Sequence, residues 1–139
     1  MDPYLLLKSL HGMLAILGVV GLAHPCLLLR PGHRPPPAHR RMIALSSLAV
    51  IGTLGLGSWI YPTYRLDVKP GRLDGSPLGA SLFESKEHLA FFVGALVLGG
   101  AVMAWQGLAE GRRCLRLGLL LMVVTWVLGL GVGAIPRTY

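Results

Sequence analysis

The run "MIALSSLAVIGTLGLGSWIY", Met42 to Tyr61, carries no formal charge over its whole length. A bilayer core roughly 30 Å thick asks a helix for some 18 to 25 such residues, so this stretch alone limits the chain to few architectures. Three comparable runs flank it. One spans about Ser9 to Leu29, broken only by His11 and His24; another reaches from His88 to about Ala109; the last covers Leu117 to Ile135 and stops at Pro136. With 53% apolar and 14% charged residues, the composition is not that of a soluble domain.

A membrane β-barrel would show strands of roughly ten residues alternating between apolar and polar, and no such alternation appears. The sequence therefore predicts an all-α membrane protein. Its fold is expected to be a four-transmembrane-helix antiparallel bundle in a single domain over 1–139. The spans are about 9–29, 42–61, 88–109 and 117–135, and one sizeable extracytoplasmic loop occupies 62–87. The first span reads as a retained helix and not a cleaved leader, because "MDPYLLLKSL" opens with an acid and "LAHPC" lacks small residues before a cleavage site.

Orientation follows from the short connections. "RPGHRPPPAHRR" holds Arg30, Arg34, Arg40 and Arg41 with no acid, and "EGRRCLR" holds Arg112, Arg113 and Arg116. Basic short loops stay on the cytoplasmic side, which puts both termini outside, in a bacterial inner membrane. The margin is narrow, seven Lys/Arg against six, because Lys8, Arg65, Lys69, Arg72, Lys86 and Arg137 fall opposite. The net charge of +7 is thereby explained by membrane flanks, and nucleic acid is not an expected partner. "RPPPA" reads as a stiff connector.

Between spans two and three, "YRLDV" alternates like a short strand, and "LGASLFES" reads as an interfacial helical turn with Leu82 and Phe83 dipping into lipid. Glycines in "GTLGLG" and "GLGVG" lie within apolar runs without a strand or lysine, so they are packing or clearance positions and not phosphate loops. Cys26 and Cys114 lie at the reducing side, which disfavours a disulfide.

The histidines carry the chemistry. Ionisable side chains at membrane depth are costly and usually face the bundle interior or a wet cavity. His11 and His88 share a depth near the outer ends of spans one and three, which can lie diagonally across a bundle. At about 100° per residue, Ala15 and Gly18 continue beneath His11, and Ala95 and Gly99 continue beneath His88, leaving room for a flat macrocycle. The expectation is one b-type haem, with His11 and His88 as its axial metal ligands and Arg65 and Lys86 near its propionates, exchanging electrons between the quinone pool and a partner. A second haem has no ligands. His24 is turned about 220° from His11, precedes Pro25, and is expected to end the regular part of span one.

A neighbouring reading places quinone chemistry at the same rim. Glu87 beside a histidine is what proton release from a quinol needs, and Tyr61 and Tyr64 supply aromatic walls. The plain counter-reading is a charged helix start, with Glu84 and Glu87 favoured by the helix dipole and Lys86 reaching the headgroups, and "AxxxG" at Ala95 to Gly99 serving as a packing motif. The functional alternative to a redox subunit is accordingly a cofactor-free accessory or assembly subunit of a larger membrane complex. Either would contact lipids and other membrane subunits. A small proton-coupled transporter is disfavoured, since no carboxylate lies inside any predicted span.

Overall fold

The computed structural model describes residues 3–70 and 76–134, so Arg72, Arg137 and the turn signals around 71–75 lie outside the described residues. Among the described residues there are four helices long and apolar enough to cross a membrane, and no strand. Helix α1 covers Pro3–Leu28, α2 Pro37–Thr63, α3 Pro77–Gln106 and α4 Ala109–Ala134.

Proline and glycine set the boundaries. Pro37 opens α2 behind an extended Pro36 (φ −56°, ψ 157°), because its missing N–H would be unsatisfied in a first turn anyway. Pro77 opens α3 in the same way, after Ser76, whose hydroxyl accepts the Gly79 N–H at 3.1 Å. The end of α3 is a glycine cap. Gly107 takes φ 83°, its N–H bonds the Ala104 carbonyl and that of Leu108 bonds the Met103 carbonyl, both at 3.0 Å. Helix α4 restarts two residues later, so "EGRRCLR" forms its first turns and is not a loop.

Four local expectations are corrected. His24–Pro25 does not end span one: α1 continues to Leu28, with Pro25 buried, a break that apolar neighbours tolerate in membrane helices. "YRLDV" is not a strand. It forms a π-helical turn, Tyr64–Val68, directly after Pro62, which has removed a backbone donor from the end of α2. Helix continues to Pro70, and α3 begins at Pro77, so most of the segment read as loop 62–87 is helical. Phe83 points inward and not into lipid: it is 8% exposed and packs with Val132, Tyr61 and Tyr64.

Helix α1 packs on α2 and α3 on α4, with lesser contacts of α1 with α4 and of α2 with α3; the backbones of α1 and α3 do not approach closely among the described residues. Small residues set the closeness. Leu14 meets Gly52 and Ser46 meets Gly21 across α1 and α2, while Gly118 meets Val97 and Gly111 lies on the backbone of Ala104 across α3 and α4. Leu22, Ile43, Val50, Val97 and Leu115 form the buried centre. The outer faces remain apolar, with Leu27, Trp59 and Phe91 each more than 70% exposed, as expected where lipid is the solvent.

Candidate functional site

On α3 the buried line runs through Val93, Val97, Ala101 and Ala104. Counting back eleven residues from Val97 turns the helix by about 1,100°, which returns Lys86 to within about 20° of that line. Lys86 therefore projects inward. Its side chain lies along α4 at Gly129, where an added Cβ would stand 3.4 Å from both Cε and Nζ. A larger residue at 129 would occupy the space the ammonium uses.

His11 lies on the other hairpin, within reach of the Lys86 charge. Its ring rests on Gly57 of α2, where a Cβ would come within 3.0 Å of Cε1, and its Nδ1–H donates to the Thr53 carbonyl at 2.9 Å. A carbonyl only accepts, so the neutral ring keeps its lone pair on Nε2. The Lys86 ammonium is close enough for its charge to bear on this ring, and that of Lys8 bears on Lys86 in turn.

Glu87, Tyr61 and Tyr64 complete the group. The Tyr61 hydroxyl donates to Glu87 Oε2 over a long 3.5 Å, and the Tyr64 ring stacks on Phe83 at 4.6 Å with 17° between planes. Tyr61 is parallel to the same Phe83 ring at 6.4 Å. The π-helical turn brings Tyr64 onto this ring, and an ion pair of Lys69 with Glu84 at 3.9 Å ties the end of α2 to α3. All four helices thus contribute to one rim. It combines an inward cation, a neutral imidazole with a free lone pair, a carboxylate that holds a phenol, and an aromatic shelf.

His88 is elsewhere. Nine residues from Val97 amount to about half a turn beyond whole turns, which places it opposite the buried line. The ring is exposed, and its Nδ1–H donates to the Glu84 carbonyl of its own helix at 2.7 Å. The residues expected beneath it follow it outward: Ala95 is exposed, and a Cβ on Gly99 would meet nothing nearer than Met103 at 4.0 Å. Ala95 and Gly99 therefore do not pack against another helix of this chain. Below His11, Ala15 is half-buried, and the clearance expected at Gly18 is filled by Met122 and Val50. Arg65 is exposed on the π-helical turn.

His11 and His88 consequently do not face a common space, and they do not fit a haem shared between them. Of the residues singled out in the sequence, the structure brings together His11, Tyr61, Tyr64, Lys86 and Glu87. No family model, curated protein or solved structure matches this chain. The site must be read from its own geometry.

Sequence reasoning missed Gly57, the Thr53 carbonyl, Phe83 and Gly129 as parts of the site. A signal for Lys86 was available: the series 86, 90, 93, 97, 101, 104 has the helical period and is apolar apart from the lysine.

Proposed function

We propose that this chain is an integral membrane subunit of a quinone-linked redox complex, and that the head group of a quinone or quinol binds at the rim formed by His11, Tyr61, Lys86 and Glu87. The observation that carries this reading is the presence of a lysine and a histidine on the inner faces of α3 and α1 at one level, at the head of long uncharged runs. Ionisable groups so placed are costly unless they serve a ligand, an ion or a proton.

A quinone suits the group. It is a flat ring with two carbonyl oxygens and an apolar tail, and it arrives from the lipid. The Lys86 ammonium donates to one carbonyl and the Tyr61 hydroxyl to the other on leaving its long contact with Glu87, Phe83 and Tyr64 offer an aromatic face, and the apolar outer surface accommodates the tail. In the quinol direction, His11 Nε2 and the Glu87 carboxylate accept the two hydroxyl protons. The two electrons pass to a redox centre of a partner subunit. An outward face with His88, Ala95 and Gly99 unpacked within the chain is a place for such a partner to pack.

In this reading the helices form an antiparallel bundle, supported by contacts that rise along α1 as they fall along α2: Gly21 with Ser46, Leu14 with Gly52, His11 with Gly57. The arginine-rich ends face the cytoplasm, both termini and the rim face outward, and the membrane is the bacterial inner one. The expectation of a haem b ligated by His11 and His88 is not carried further, because one imidazole turns into α2 and the other away from the bundle.

A titration tests the proposal. Protein in quinone-free nanodiscs, titrated with decylubiquinone and followed by tryptophan and tyrosine fluorescence, should bind saturably. Lys86→Met and His11→Ala should each weaken binding by about tenfold or more, the worth of one hydrogen bond to a charged or polar head group, and His88→Ala should not. Absence of saturable binding, or equal loss in all three variants, would defeat it.

A further inference from the structure

The opposite end of the bundle carries a second built feature. The connection between α1 and α2 folds around a cavity of about 320 Å3 whose lining includes Leu28, Leu29, Arg30, His33, Arg34 and His39. This is roughly ten times the ~30 Å3 share of a single water, enough for a head group with its glycerol and far more than a bare ion fills.

The loop around it is held in place. Gly32 takes φ 74°, and the His33 ring donates to the Pro31 carbonyl at 3.0 Å. Pro35 is buried, and its carbonyl accepts the Arg40 Nε–H at 2.9 Å. The stem of Arg34 crosses Gly107 in the α3–α4 turn, where a Cβ would come within 3.1 Å of Cγ. His39 packs its ring against His24 at 5.5 Å, and its Nδ1 is buried without a hydrogen-bond partner.

The charge is one-sided. From Pro3 to Leu66 the chain contains no Asp or Glu, and Glu110, exposed at the start of α4, does not line the cavity. Leu28, 55% exposed at its edge, is an apolar neighbour for an acyl chain. Two guanidinium groups, an imidazole in the wall and an apolar edge at the end of a membrane helix match one chemistry.

We propose that this cavity binds the phosphate-bearing head group of an anionic membrane lipid, with Arg30 and Arg34 on the phosphate oxygens and the His39 ring as part of the wall beside them. The inference is independent of the quinone reading, which concerns the other end of the bundle.

Native mass spectrometry of the full chain in detergent, titrated with phosphatidylglycerol and separately with phosphatidylcholine, tests it. Phosphatidylglycerol should bind saturably and phosphatidylcholine should not. Arg30→Gln with Arg34→Gln, which keeps the stems, should weaken binding on the order of 30-fold, about fivefold for each charge. Arg113→Gln, exposed and outside the cavity, should change it little. Circular dichroism verifies folding, and His39→Ala, expected to lose a few-fold, provides the test if the double variant does not fold. Equal binding of both lipids, or equal losses from Arg113→Gln and the double variant, would overturn the proposal. Inorganic phosphate that binds alone and displaces the lipid at millimolar concentration would overturn the lipid as its source.

Discussion

Replacing Lys86 by methionine should stabilise the bundle while weakening the proposed quinone binding, and the size of the gain can be worked out. Helix α3 has 30 residues, about 45 Å at 1.5 Å per residue. Centred on a hydrocarbon core of about 30 Å, it overhangs by about 7 Å at each end. Lys86 lies nine residues, about 13 Å, from Pro77, hence about 6 Å inside the core. The same construction on the 26 residues of α1 puts His11 about 7 Å deep, the same level.

A lysine at the membrane centre costs about 3 kcal/mol on insertion scales. At 6 Å of a 15 Å half-thickness, linear scaling leaves about 1 kcal/mol. Methionine nearly conserves the volume beside Gly129 and removes the charge, so Lys86→Met should raise stability by about 1 kcal/mol. Reversible unfolding in sodium dodecyl sulfate, followed by helical circular dichroism, measures it. Among the described residues the ion pair is Lys69 with Glu84, and Lys86 has none. A loss of 2 kcal/mol or more would mean that structural partners hold the ammonium and would refute its assignment to a ligand.

Other consequences follow from packing and from histidine placement. A methyl group at Gly111 would press on the Ala104 Cα at 2.7 Å and the Met103 carbonyl carbon at 2.8 Å, so Gly111→Ala should cost about 1–3 kcal/mol. Gly55→Ala, with open space around it, should instead gain up to about 1 kcal/mol from helix propensity in the same unfolding assay. His11→Ala should lose about 1 kcal/mol with its hydrogen bond to Thr53. His88→Ala, exposed and bonded only within its own helix, should change stability by less than about 0.5 kcal/mol. A larger loss from His88→Ala would place that ring in the interior.

Much of the fold was legible because bilayer thickness fixes the length of an apolar run, and the four runs of this chain are nearly uncharged. The helix boundaries were less legible. Hydropathy marks where lipid ends and not where hydrogen bonding ends, so α2 and α3 extend into the segment read as loop, and only Gly107 and Leu108 make the connection to α4. The strand signal in "YRLDV" was a period-2 pattern of five residues, too short to compete with a helix already running into it. At the site, the residue types are legible in the sequence, and the direction in which each side chain points is not. Lys86, two residues before His88, continues the buried line of α3, and His88 stands on the opposite side of the helix. Gly57 and Gly129, legible in the sequence only as packing or clearance positions within apolar runs, open space for polar side chains that stand on other helices. That kind of complementarity lies between helices and has no signature in one segment.

The most direct test of the account is photolabelling with an azidoquinone in membranes, followed by peptide mapping. Adducts should fall on Gly57–Tyr61 and on Phe83–Glu87 and should be displaced by excess unlabelled quinone. Adducts concentrated on the outward stripe from His88 to Gly99, or spread evenly over lipid-facing residues, would contradict it.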